Sequence, residues 1–218
     1  MILNLRGTSG SGKTTVVRGL MEKYPAIEPL MVADERGREK IHGYECRMAN
    51  FPGNPPNLYV VGSYKNVCGG CDGIKTQDEI CGRVRNYAGM TGDAGMTGDV
   101  VFEGLLISHL FSRYVNLDRE MAETHRQHTI WAFLDTPEEL CVDRVKARRA
   151  ARHADRVKAA EREGRHVPAE LGPLNETNTR QKWQDMRRVH QKCIRDGFDA
   201  RWLDHTNPIE QSWEWLRG

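Results

Sequence analysis

From Gly7 the chain reads GTSGSGKTT, in which Gly7, Gly12, Lys13 and Thr14 satisfy G-x-x-x-x-G-K-[ST]. A loop of this composition turns its backbone N–H groups toward a phosphate chain, and it works only between a strand and a helix. Both flanks are present. Ile2 to Leu5 predict a short strand, and Val16, Val17, Leu20 and Tyr24 share one helical face. The predicted nucleotide-binding residues are therefore Gly7, Thr8, Ser9, Gly10, Ser11, Gly12, Lys13, Thr14 and Thr15. Lys13 can reach the β- and γ-phosphates of ATP, Thr14 can join a Mg²⁺ shell, and Gly10 lets the backbone approach without an obstructing side chain.

A chain of 218 residues suits one α/β unit with a sizeable core. Further strands are predicted at Leu30 to Ala33, Leu58 to Val61, Val100 to Phe102, Thr129 to Leu134 and Arg201 to Leu203. Thr136-Pro137-Glu138-Glu139 and Asn207-Pro208-Ile209-Glu210 predict capped helix starts with proline in the first turn. Strands alternating with helices predict a parallel sheet covered on both faces. Two excursions are expected, a Gly-rich insertion on the substrate side over about 53–99 and an Arg-rich lid over about 144–180. Within the insertion, nine glycines occur from Gly62 to Gly98, and the tandem AGMTGDAGMTGD over 88–99 predicts a surface loop without chemistry.

The chemistry of phosphoryl transfer asks for three further groups. A carboxylate at a strand end should organise the metal with Thr14, and VVFEG supplies Glu103. A second carboxylate should take the proton of an alcohol acceptor. Asp34, closing the apolar run LMVA, is the first candidate, and Asp72, inside the Gly-rich stretch, is the second. Positive charge should meet the transferring oxygens, and Arg144, Arg148, Arg152 and Arg156 recur every four residues as one stripe on the helix after Pro137, with Arg144 and Arg148 the candidates preferred for this role.

Net charge is only +2, but it is unevenly spread. Between Val142 and Lys192 there are 14 Lys and Arg against 7 Asp and Glu, while the rest of the chain holds 18 basic and 23 acidic residues. No apolar run is long enough to span a bilayer, and a cytoplasmic protein without a membrane partner is expected. The six cysteines are expected to be reduced thiols, with zinc at Cys68, Cys71 and Cys81 as the lesser alternative. No N-K-x-D base reader of a GTPase occurs.

Gly7-x-x-Gly10-x-Gly12-Lys13-Thr14-Thr15, the acid after the second strand, VVFEG and the arginine-rich helix after LDTPEE together resemble the nucleoside and nucleotide kinase superfamily. Within it, YVVGSYKNVCGGCDGIKTQDEI followed by GDVVFEGLLIS resembles phage P-loop kinases of the thymidylate-kinase-like group that phosphorylate 5-hydroxymethyluracil in DNA. The resemblance implies transfer of the ATP γ-phosphate to the exocyclic hydroxymethyl oxygen, with DNA containing a modified pyrimidine as partner. A kinase of free nucleosides or nucleotides and a non-catalytic ATP-binding module are the alternatives. For a DNA acceptor, Tyr59, Tyr64 and Tyr87, interleaved with Lys65, Lys75, Arg83 and Arg85, offer stacking and phosphate contacts.

Overall fold

The computed structural model describes residues 1–33, 36–48, 56–65, 69–90, 98–164 and 172–217. The first strand, β1 (Ile2–Arg6), delivers the glycine loop into α1 (Lys13–Glu22). There follow β2 (Ala26–Ala33), β3 (Glu39–Arg47), β4 (Leu58–Val61), α2 (Gln77–Ala88), β5 (Asp99–Glu103), α3 (Ser112–His125) and β6 (Thr129–Leu134). The chain continues through α4 (Glu138–Arg162), α5 (Thr177–Arg195), β7 (Ala200–Leu203) and α6 (Pro208–Arg217).

The strands form one sheet in the order β2-β3-β4-β5-β1-β6-β7. From β4 to β7 all neighbours are parallel, with Leu5 opposite Glu103 in β5 and Arg6 opposite Phe133 in β6. Of these strands β1, β4, β5 and β6 are buried on both faces, as parallel strands under helices must be, while the edge strand β7 is partly exposed. Leu3, Leu5, Val16, Val17, Leu20 and Leu216 fill one layer beneath α1 and α6. Ile80, Val84, Tyr114, Leu117 and Met186 fill the other beneath α2, α3 and α5. The chain crosses from the β4 side of β1 to the β6 side, so the crevice at the carboxyl ends of β1 and β5 is the topological switch point.

Several expectations are corrected. Leu30 to Ala33 belongs to a strand, but β2 is an exposed edge strand in an antiparallel hairpin with β3, itself antiparallel to β4, so the sheet is mixed. Pro29 fits such an edge, where a missing N–H costs nothing. The Gly-rich stretch is not featureless: α2 lies in it, and the Thr76 side chain caps it by accepting from the Glu79 N–H at 3.1 Å. Thr136 does not cap α4; its hydroxyl donates to the Ser11 carbonyl at 2.9 Å, tying the helix to the glycine loop.

The three tyrosines are core residues rather than stacking platforms, with exposures of 3% for Tyr59, 6% for Tyr64 and 1% for Tyr87. Among the interleaved cations, Arg83 donates to the His42 carbonyl and Arg85 pairs with Glu120. Cys71 and Cys81 are buried in one layer, where burial raises both thiols and disfavours the thiolate that zinc requires. Cys68 lies outside the described residues, as does most of the tandem repeat. Among the described residues no group of three His, Cys, Asp or Glu is placed to hold a metal ion, and no helix is long and apolar enough to cross a membrane.

Candidate active site

The glycine loop is held by contacts from four directions. The Gly7 N–H donates to Ser108 Oγ at 3.0 Å, and that hydroxyl donates to the Gly104 carbonyl at 3.0 Å, joining the loop to the end of β5. Thr136 anchors Ser11, Thr8 Oγ1 donates to the Thr179 carbonyl, and Arg144 Nη1 donates to the Gly10 carbonyl at 3.3 Å. Gly10 and Gly12 have φ of 82° and 103°, in the left-handed region that favours glycine. A Cβ at Gly10 would also lie 2.3 Å from the Cys141 carbonyl oxygen of α4. Gly10→Ala is accordingly expected to destabilise the fold by about 1–3 kcal/mol and to lower nucleotide affinity, measured by denaturant unfolding and calorimetric titration. Unchanged values in both would contradict this packing.

Lys13 is buried, and its ammonium donates to the Gly7 and Thr8 carbonyls at 2.8 and 3.1 Å. Burial lowers its pKa, opposed by the nearby Glu103 and Asp72 carboxylates. Thr14 Oγ1 donates to Glu103 Oε1 at 2.9 Å. The Glu103 carboxyl is pushed up to about 7 by burial, with Lys13 and the Thr14 hydroxyl pulling the other way. This carboxyl is desolvated inside a cationic loop, so a bound cation would favour its ionised form.

A cavity of about 570 Å³ opens above the loop, lined by Thr8 to Thr15 with Asp72, Glu103, Leu105, Arg144, Arg148, His205 and Pro208. Ser11 Oγ is buried there without a hydrogen-bond partner among the described residues. Together with the α1 N-terminus and Lys13, this orphaned hydroxyl fits an anionic chain with several oxygens. The Thr14 and Glu103 oxygens fit a hard divalent cation, which in such sites keeps most of its waters.

Asp72 stands on the wall between this cavity and a smaller one of about 320 Å³, which is lined largely by Cys71, Ile74, Ile80, Leu106 and Ile107, with Gln77 as its polar group. Its Oδ1 accepts from the Leu105 N–H at 2.7 Å, so one carboxylate oxygen is fixed by the turn after β5. Gln77 accepts from the Tyr114 hydroxyl, which positions the amide. Asp34 lies outside the described residues; β2, which precedes it, is separated from β1 by three strands.

The structure thus brings together Lys13, Thr14, Glu103, Asp72, Arg144 and Arg148 around one cavity. Arg152 and Arg156 do not line it. Sequence reasoning gave no site role to His205, Pro208 or Ser108, which arrive from the turn after β7, the start of α6 and the turn after β5; of these only Pro208 carried a local signal, and it read as a helix start. It also missed Arg6, which is fully buried behind the loop, stacked 4.1 Å from the Trp131 ring centroid.

No protein-family model matches the chain. A curated protein of Pseudomonas phage PaMx11 named 5-hmdU DNA kinase is 41% identical over 155 residues, covering 71% of this chain and 72% of the relative. A protein of the same name from Pseudomonas phage M6 is 26% identical over 214 residues, covering 91% and 88%. A solved deoxyadenosine kinase from M. mycoides with bound dATP aligns over the full length of both chains at 11% identity and a TM-score of 0.40. On the extent and identity of the first of these matches, the chain is a P-loop kinase that belongs to the 5-hmdU DNA kinase family.

Proposed function

We propose that the protein transfers the γ-phosphoryl group of ATP to the hydroxymethyl oxygen of 5-hydroxymethyluracil within DNA. The observation that carries the acceptor's identity is the 41% identity to the phage 5-hmdU DNA kinase. The geometry supports the chemistry. The glycine loop holds the triphosphate, and Lys13 exchanges its two backbone carbonyl acceptors for phosphate oxygens. Arg144 and Arg148 face the cavity from α4 and offset the charge on the transferring group.

Thr14 and Glu103 would hold Mg²⁺, which when bound neutralises phosphate charge and draws electron density from the leaving oxygen. Asp72 accepts the proton of the acceptor hydroxyl as its oxygen forms the new bond to phosphorus, and the bond from that phosphorus to the oxygen it shares with the β-phosphate breaks. The apolar cavity beyond Asp72 receives the pyrimidine, whose polar edge the Gln77 amide can meet. A base inside a duplex must leave the stack to reach such a site.

Incubation with γ-labelled ATP and DNA carrying 5-hydroxymethyluracil, beside the free nucleoside and nucleotides, tests this reading. Label should enter the DNA, and only DNA with the hydroxymethyl group. Label confined to the free compounds would replace it with a small-molecule kinase, and no transfer to any alcohol would replace it with a binding module.

A further inference from the structure

A polymeric acceptor brings phosphates that the nucleotide loop cannot bind; around α2 the three tyrosines are buried and Arg83 and Arg85 are paired with carboxylates, which leaves Lys65 and Lys75 as the exposed cations of that stretch. α5 carries the larger net positive charge of the two long helices, but Arg180, Arg187, Arg188 and Arg195 on it are each paired with a carboxylate; on α4 the positive charge is concentrated in the middle turns. Between Arg144 and Lys158 this helix carries seven Lys and Arg and a single acid, Asp155. Of its 25 residues only Cys141, Val142 and Ala160 are buried, so its middle turns contribute little to the core.

Arg144, Arg148, Arg152 and Arg156 place three successive like-charge pairs at i,i+4, an arrangement that is unfavourable for a solvated helix. Arg144 and Arg148 line the phosphate cavity. Arg148 also lines a second concavity of about 560 Å³, shared with Arg149, Arg152, Asp155 and Arg156, into which none of the glycine loop enters. Arg148 is thus common to both, and positive charge continues outward from it for about 12 Å, eight residues at 1.5 Å each. Across that span one DNA strand presents about three or four phosphates at 3.4 Å of axis each.

We propose that Arg149, Arg152 and Arg156 on the outer turns of α4 bind the phosphate backbone of the DNA acceptor, next to the nucleotide site; this rests on the DNA-kinase reading above. The phosphates of ATP are accommodated by the loop, Lys13, Arg144 and Arg148, so the outer three arginines serve the polymer alone. The contact is with the backbone and carries no base specificity.

The test is the combined variant Arg149→Gln, Arg152→Gln and Arg156→Gln, with Arg149→Lys, Arg152→Lys and Arg156→Lys as its charge-retaining partner. Glutamine and lysine keep helix propensity close to that of arginine at these sites, and thermal unfolding verifies the fold. Affinity for an oligonucleotide carrying 5-hydroxymethyluracil is measured by anisotropy across a salt series, alongside KM for DNA and the Kd for ATP. The glutamine variant should raise KM for DNA about tenfold or more and reduce the slope of log K against log salt by about 2–3, from the ~0.7–0.9 expected per lost contact. Its ATP affinity should stay within about twofold, and the lysine variant should restore the slope. An unchanged slope in an enzyme active on DNA overturns the assignment of α4, as does an equal loss of ATP affinity, which would return these arginines to the nucleotide lid. Absence of DNA phosphorylation by the unaltered protein instead removes the DNA-kinase reading itself.

Discussion

Lys13→Ala is expected to abolish most phosphoryl transfer, by on the order of 10²–10³ or more in kcat/KM, while leaving the fold intact. The ammonium is buried and, among the described residues, donates to two neutral carbonyls, those of Gly7 and Thr8, with Glu103 and Asp72 near enough to raise its pKa against the larger lowering effect of burial. Such a cation is costly to keep in the ligand-free protein, because desolvation opposes its charge and the carbonyls compensate only in part. A triphosphate supplies the missing negative charge. Removing the side chain therefore costs transfer and ATP affinity but relieves an electrostatic burden on the fold. The thermal midpoint should be unchanged or raised, and it is measured beside kinetics and calorimetric ATP titration. Lost activity with a collapsed midpoint would mean that Lys13 acts as a brace for the loop carbonyls.

The contrast between Lys13 and Asp34 shows where the sequence was informative. The phosphate loop is contiguous, its flanks carry clear strand and helix periods, and Gly10 and Gly12 are required by φ values that other residues rarely adopt; nine neighbouring positions state the whole device. Glu103 was legible for a related reason, since it ends an apolar run and the register with Leu5 sets it beside the loop. Asp34 was read by the same rule, but LMVA lies on an edge hairpin where apolar residues are exposed, with Met31 at 42% and Val32 at 48%. A run of four apolar residues does not tell a central strand from an edge one; Pro29 and the Arg36-Gly37 turn were the discriminating signals.

Other contacts at the site are long-range and have no local signature. Ser108 meets Gly7 across 101 residues and Thr136 meets Ser11 across 125, each through a single hydroxyl that in sequence resembles any other. The Thr76-x-x-Glu79 signal that starts α2 was present, but it lay within a stretch dominated by glycines. The arginine stripe was legible as a stripe. The preference for Arg144 and Arg148 over Arg152 and Arg156 was also legible, and the preferred pair lines the nucleotide cavity; the second concavity that Arg148 shares with Arg149, Arg152 and Arg156 had no local signature.

Asp72→Asn is expected to lower kcat about 10²- to 10⁴-fold while ATP affinity changes little. The substitution is chosen for what it preserves. Asp72 Oδ1 accepts from the Leu105 N–H at 2.7 Å, and an asparagine oxygen can do the same, so the turn after β5 and the wall between the two cavities keep their shape. What is lost is the capacity to take a proton. Asp72→Ala removes the accepted hydrogen bond as well, so it should cost stability, about 1 kcal/mol at a partly solvated turn, in addition to the same loss of turnover. Asp34→Asn, made in parallel, should leave kcat within about threefold, because β2 is three strands removed from β1 and the phosphate loop. An Asp72→Asn enzyme that loses ATP affinity in proportion to turnover would assign the carboxylate to the metal shell beside Glu103. A variant with unchanged kcat would mean that the acceptor hydroxyl loses its proton without Asp72, and a collapse confined to Asp34→Asn would return the base to the edge hairpin. The proposed mechanism requires the split: turnover falls with Asp72, nucleotide binding does not, and the Leu105 turn holds in the asparagine variant alone.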